Sequence, residues 1–220
     1  MLLSMNVIEL FSSIDGEGKR QGFLTTFLRL HDCNIRCSYC DTLYSYGPES
    51  TFESMSVQAV ADVIEQLENH RITVTGGEPL LQEPAIIELI DELTRRNARY
   101  DFNIETNGTI IPSFHRDNVW FTYDYKTPSS LAEDAMNLDI FKVATPADII
   151  KFVVGSMQDL DRMNEILKTY PTEAQIFVSP VWVNIEGATI IEYMKAHNWQ
   201  NVRFQLQIHK FIWDPDAKGV

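Results

Sequence analysis

The sequence predicts an α/β protein built as a partial, open parallel β/α barrel. Three observations predict this. Short β-rich segments alternate with amphipathic helical segments, the pattern of a parallel sheet. The chemically unusual residues fall just after strands, and in parallel barrels those C-terminal strand ends share one face. Apart from a short N-terminal strand, the barrel strands number about six to seven, too few to close an eight-stranded barrel, so a gap in the wall is expected.

The elements follow in order. Val7–Phe11 reads as a short N-terminal strand ending in the Gly-punctuated turn Ser12–Gly18. Gly16 and Gly18 in that turn would let the backbone lie close to a flat ligand. Thr25–Leu30 is a strand that runs into the cysteine loop. Its Arg29, set among apolar residues, is either exposed at a sheet edge or buried with an anion, and its place beside the loop favours the anion. Ser56 can cap a helix reaching about Asn69, with Val57, Val60, Ile64 and Leu67 as its buried stripe. Arg71–Thr75 is a β-branched strand ended by Gly76-Gly77-Glu78-Pro79. A second amphipathic helix carries Ile86, Ile87, Leu89, Ile90 and Leu93. Strands follow at Phe102–Glu105 and Val119–Asp124, then a polar stretch around Ser129–Asn137. A strand at Ile149–Val154 and a helix at about Met157–Lys168 come next. The last units are a strand at Gln175–Val178, a helix around Thr189–Ala196 and a strand at Val202–Leu206. The tail is Gln207–Trp213, then Asp214–Val220. No repeat or linker breaks the chain, so residues 1–220 read as a single domain.

Composition narrows the partners. Hydrophobic residues make up 45% of the 220-residue chain and can fill a core of one-domain size. A net charge of −13 opposes nucleic acid as a partner, because phosphate contacts need Lys and Arg. No run approaches the ~20 apolar residues of a membrane span, and Met1–Met5 is too short and uncharged for a signal peptide. The reading is a soluble, cytoplasmic protein.

All three cysteines of the chain lie in one loop, Cys33-Asn34-Ile35-Arg36-Cys37-Ser38-Tyr39-Cys40, followed by Asp41-Thr42. A disulfide would leave one cysteine over. Structural zinc takes four ligands, and there is no second CxxC, although His31 or Asp41 could complete such a site at an unusual spacing. A cubane iron–sulfur cluster normally takes four Cys ligands; three would leave one iron open to bind a substrate.

The CxxxCxxC spacing resembles the signature of radical S-adenosylmethionine (SAM) enzymes, and Gly76-Gly77-Glu78-Pro79 one βα unit later resembles their SAM-binding stretch. The narrower resemblance is to the 7-carboxy-7-deazaguanine synthase family of queuosine and deazapurine synthesis. It covers nearly the whole chain. It rests on Asp15-Gly16-Glu17-Gly18, Arg29, Cys40-Asp41-Thr42, Thr75–Pro79, Glu105-Thr106-Asn107-Gly108 and Gln207-Ile208-His209-Lys210.

This resemblance implies a 4Fe-4S cluster on Cys33, Cys37 and Cys40, with SAM and Mg2+ as further cofactors. It implies that Thr42 supplies the protein oxygen to Mg2+. It places the pterin substrate on Ile14, Asp15, Gly16, Glu17, Arg29, Thr75, His209 and a closing tail that ends at the Val220 carboxylate. It places SAM on Tyr39, Asp41, Gly76, Gly77, Glu78, Glu105, Asn107, Asp124, Tyr125, Lys126, Ser179, Pro180, Val181 and Trp182. The implied reaction is a radical lyase step on 6-carboxy-5,6,7,8-tetrahydropterin that contracts the ring and releases ammonia. The implied partners are a one-electron reductant such as flavodoxin or ferredoxin and a second copy in a homodimer. The sequence departs from many members at Asp15, where they carry Gln, and at Asp124-Tyr125, where they carry Ser-Pro; Ser179–Trp182 also differs. The alternatives are a glycyl-radical activase, which shares the three-Cys signature, and a non-catalytic metal-binding interaction module.

Overall fold

A computed structural model describes residues 3–215 and 217–220. Among these residues one sheet carries nine strands in the order β3-β1-β2-β4-β5-β6-β7-β8-β9. The N-terminal strand β1 (Ser4–Ile14) forms an antiparallel hairpin with β2 (Leu24–Leu30). A short edge strand, β3 (Glu53–Ser56), pairs antiparallel with β1. From β2 onward all pairings are parallel, through β4 (Arg71–Gly76), β5 (Asp101–Thr106), β6 (Val119–Lys126), β7 (Ile149–Val154), β8 (Gln175–Pro180) and β9 (Val202–Phe204). The sheet ends at β3 and β9 without closing; the parallel run from β2 through β9 supplies the expected barrel strands, and the expected N-terminal strand is β1, which pairs antiparallel.

Among the described residues six helices follow in chain order: α1 (Val57–Gln66), α2 (Glu83–Arg96), the single turn α3 (Ile140–Val143), α4 (Met157–Thr169), α5 (Gly187–Ala196) and the single turn α6 (His209–Ile212). Their ends have local causes. The Ser56 hydroxyl accepts from the Ala59 amide and opens α1; Ser156 does the same for α4 through Asp159. Helix α1 stops short of Asn69 because Glu68 turns into the left-handed region at φ 54°. Arg95 and Arg96 in the last turn of α2 face the negative end of its dipole. The stripes Val57, Val60, Ala61, Ile64 and Ile86, Leu89, Ile90, Leu93 are buried, each large side chain contributing roughly 1.5–3 kcal/mol of transfer free energy.

The period of two along the strands explains the architecture. Leu28, Val74, Ile104, Tyr123, Tyr125, Phe152 and Val178 belong to the apolar core beneath the helices. Their sequence neighbours Arg29, Thr75, Glu105, Asp124, Lys126 and Lys151 line the concave side. Successive strand residues point to opposite faces, so these strands are apolar towards the helices and turn Arg29, Thr75, Glu105, Asp124, Lys126 and Lys151 towards the interior, beside the apolar Phe11, Phe27 and Val153. A polar barrel interior is the place for a site.

Two strands depart most from the sequence expectation. β1 is far longer than Val7–Phe11, because Ser12 and Ser13 continue its register against Thr26 and Thr25. β3 is a polar segment, Glu-Ser-Met-Ser, that is a strand only because β1 offers it an edge. Two 3-10 turns, Pro128–Ser130 and Glu133–Ala135, occupy the polar stretch.

Candidate active site

At the C-terminal ends of the parallel strands lies a cavity of about 700 Å³. Cys33, Cys37 and Cys40 all line it, and all three are free thiols. The loop that carries them is fixed to the end of β4 by backbone bonds: Gly77 N donates to Leu30 O at 3.2 Å and Glu78 N to Asp32 O at 2.7 Å. Gly77 has to be glycine for this approach. A Cβ there would stand 1.9 Å from Asp32 O and 2.9 Å from Cys33 Cβ.

The sulfurs have donors nearby. Asn107 Nδ2 lies 3.7 Å from Cys33 Sγ, and the Thr42 hydroxyl lies 3.7 Å from Cys40 Sγ. Burial pushes the Cys37 thiol up to about 11, against the pull of Lys126, and burial raises Cys33 too. Thr42 begins a 3-10 turn through its carbonyl, which accepts from Ser45 N and Oγ, so its hydroxyl is not used as the cap.

The strand wall is dense in buried charge. Asp124 Oδ2 sits 3.0 Å from Lys126 Nζ and 3.5 Å from Lys151 Nζ, and Lys151 also bonds Glu17 Oε1. Burial alone would raise the Asp124 carboxyl, but Lys126 and Lys151 outweigh it and hold it below the usual range. Burial pushes the neighbouring Glu105 up to about 7; Lys151 opposes this, while Glu17 and Asp15 add to it. Arg29 is not at a sheet edge: it lies between β1 and β4 and its Nε meets Glu9 Oε1 at 2.6 Å. Among the described residues neither Nη nitrogen of Arg29 has a hydrogen-bond acceptor. Phe11 and Phe27 stack at 5.2 Å on the same wall.

The C-terminal segment forms the last side. Lys218, Gly219 and Val220 line the cavity, with Lys218 Nζ 4.3 Å from the Tyr44 ring. His209 lines it too, packed so closely on Gly16 that a Cβ there would meet His209 Nδ1 at 1.9 Å. Burial pulls the His209 imidazole below its ordinary value, with Glu17 opposing.

Most residues expected at the site therefore meet in this cavity: Ile14, Gly16, Glu17, Arg29, the three cysteines, Tyr39, Asp41, Thr42, Thr75, Gly76, Gly77, Glu105, Asn107, Asp124, Lys126, Val181, Trp182, His209 and Val220. Four do not line it, each for a stated reason. Tyr125 is on the opposite face of β6 from Asp124 and Lys126, its ring centroid 5.0 Å from that of Phe152 in the core. Glu78 is fully buried and staples β4 to β5, accepting from Leu80 N, Thr106 Oγ1 and Asn107 N. Ser179 is fully buried in β8, and Pro180 turns to a separate small groove with Val183 and Phe211. Asp15 does line the cavity, but its carboxylate is taken: Oδ2 by Arg20 at 2.8 Å and Oδ1 by the Thr73 hydroxyl at 3.0 Å. Arg20 continues to Asp101 at 2.7 Å.

Comparison with known proteins identifies the chain. Residues 29–153 match the radical SAM superfamily. A 7-carboxy-7-deazaguanine synthase of Clostridium acetobutylicum is 36% identical over 99% of this chain and 100% of its own. This chain belongs to the 7-carboxy-7-deazaguanine synthase family of radical SAM enzymes. A second member, from Methanospirillum hungatei, is 36% identical over 96% of this chain and 86% of its own. The solved structure of QueE from Escherichia coli has the same fold, with TM-score 0.70 at 22% identity over 92% of this chain and 93% of that one.

Radical SAM enzymes carry a 4Fe-4S cluster and SAM, and the donor set here fits them. Three soft sulfur ligands share one cavity wall, with two hydrogen-bond donors set against the sulfurs. Among the described residues no three His, Cys, Asp or Glu side chains are grouped as a single-ion site. No helix among the described residues is long and apolar enough to cross a membrane.

Sequence reasoning missed Lys151, Tyr44, Tyr46 and the Phe11–Phe27 pair, all of which line the cavity. Lys151 had a signal: a lone Lys inside Ile149-Ile150-Lys151-Phe152-Val153-Val154, the same kind of interruption that drew attention to Arg29.

Proposed function

We propose that this chain converts 6-carboxy-5,6,7,8-tetrahydropterin to 7-carboxy-7-deazaguanine with loss of ammonia. One observation carries the reading: the three thiols, the unaccepted Nη donors of Arg29 and the polar strand wall all open on a single cavity. When bound, the cluster and SAM supply the radical that removes hydrogen from the substrate. The protein's part is to hold, orient and shield.

Arg29 offers its two free Nη nitrogens to the substrate carboxylate, a planar two-point contact that suits a guanidinium. Glu17 Oε2 is buried and has no partner among the described residues, so it accepts an N–H of the pterin ring. The backbone of Ile14–Gly16 lies beside it, and Phe11 and Phe27 provide an apolar wall. The Thr42 hydroxyl would hold Mg2+, an ion that commonly shares its shell with substrate oxygens and water. His209 and the Lys218–Val220 segment cover the substrate and keep water out, with the Val220 carboxylate on the ring. Asp15 serves through its backbone, because Arg20 and Thr73 occupy its side chain. SAM rests on Tyr39, Asp41, Gly76, Gly77, Glu105, Asn107, Asp124, Lys126, Val181 and Trp182. The chain works as a cytoplasmic homodimer and takes its electron from flavodoxin or ferredoxin.

The test is anaerobic reconstitution with iron and sulfide, then incubation with SAM, reduced flavodoxin and the pterin, reading product by mass. The expected result is 7-carboxy-7-deazaguanine and about four iron and four sulfide per chain. Thr42→Ala should lose the response to Mg2+, and a tag added beyond Val220 should weaken pterin binding. Sedimentation should show a dimer. SAM cleavage only in the presence of a partner polypeptide, with the pterin untouched, would establish the activase reading; one zinc and no sulfide would establish the interaction module.

A further inference from the structure

Lys151 is the most buried ammonium on the cavity wall, 5% exposed, in a strand whose other residues are all apolar. A lysine there is costly to desolvate and persists only with carboxylate partners. It has two. Asp124, directly opposite in the β6–β7 register, lies at 3.5 Å, and Glu17, from the turn after β1, is bonded through Oε1. Glu105 on β5 acts on it electrostatically as a third.

The pairing leaves a pattern of bare atoms. Glu17 presents Oε1 to Lys151 and keeps Oε2 buried without a partner; Asp124 presents Oδ2 to Lys126 and Lys151 and keeps Oδ1 buried without a partner. Both residues line the cavity. A buried carboxylate oxygen without a donor is rare and points to a group that arrives later. Glu17 sits in a turn between two strands, and nothing else among the described residues hydrogen-bonds its side chain. Its direction is therefore set by Lys151, and the place of Lys151 is set by Asp124.

We propose that Lys151 is a positioning residue: anchored on Asp124, it clamps Glu17 Oε1 so that Glu17 Oε2 faces the N–H donors of the bound pterin. The proposal rests on the pterin reading above. It also gives Asp124 a reason, since a Ser at this position could not balance a buried lysine.

The clamp is tested by pterin binding, measured anaerobically by calorimetry with 6-carboxytetrahydropterin, on wild type, Lys151→Met, Lys151→Arg, Glu17→Gln and the Lys151→Met/Glu17→Gln double variant. The Lys151→Met/Asp124→Asn pair, which removes both charges together, serves if Lys151→Met alone fails to fold. Losing Lys151 should weaken binding roughly 10–100-fold, the worth of a hydrogen bond to a charged group. Lys151→Arg should recover part of the loss. If Lys151 acts through Glu17, the double variant is no weaker than Glu17→Gln alone; independent roles would multiply. Wild-type affinity in Lys151→Met, or multiplying losses in the double variant, overturns the clamp alone. A wild-type protein that does not bind the pterin overturns the substrate reading and the clamp with it.

Discussion

Glu105 shows how much a single residue of this site is governed by its surroundings. Burial pushes its carboxyl from an ordinary 4.5 up to about 7, with Lys151 pulling the other way. The folded state thus holds this proton more tightly than the unfolded chain does. The stability it contributes is complete below about 4.5 and is lost as the pH rises through about 7. Glu105→Gln removes this dependence and leaves all other groups in place. Urea midpoints compared between about pH 4.5 and pH 8 should therefore fall more in wild type than in the variant. Parallel curves would mean that Glu105 carries no buried charge penalty. Single residues were legible in the sequence where they broke a pattern. The three cysteines, Arg29 and the double glycine all did so, and all line the cavity. Residues taken in contiguous runs were less so: of Asp124-Tyr125-Lys126, only the first and third share the inner face, because a strand alternates. The engagement of Asp15 by Arg20 could not be read either, since it depends on a turn folding back over β4.

At the scale of elements, the junction of the cysteine loop with the end of β4 is the critical joint. Gly77 lets the two backbones touch, and Glu78 ties the same point to β5. Gly77→Ala would drive a methyl group into Asp32 O and Cys33 Cβ and push the loop away. The expected outcome is a folded protein, judged by far-ultraviolet circular dichroism, that holds well under half the iron of wild type after anaerobic reconstitution. Full iron content in this variant would show that the loop does not depend on the contact. The parallel strands and the longer helices were legible because burial stripes and β-branched runs are local signals. β3 was not, because its residues have no strand character and its pairing is supplied by Ser4–Val7 of β1, about fifty residues earlier in the chain.

For the molecule as a whole, the open sheet places soft sulfur ligands, a buried lattice of opposite charges and a covering C-terminal segment around one interior. The apolar faces of the strands serve the core and their polar faces serve the site, so fold and chemistry share the same residues in alternation. The central claim is that this interior holds the radical source and the pterin together. It is tested most directly by isotope transfer. Reconstituted protein is given SAM, reductant and 6-carboxytetrahydropterin deuterated at C6, and the 5′-deoxyadenosine formed is weighed by mass spectrometry. Deuterium in 5′-deoxyadenosine, formed together with 7-carboxy-7-deazaguanine, is the result the account predicts. Unlabelled 5′-deoxyadenosine beside unconsumed pterin would contradict it.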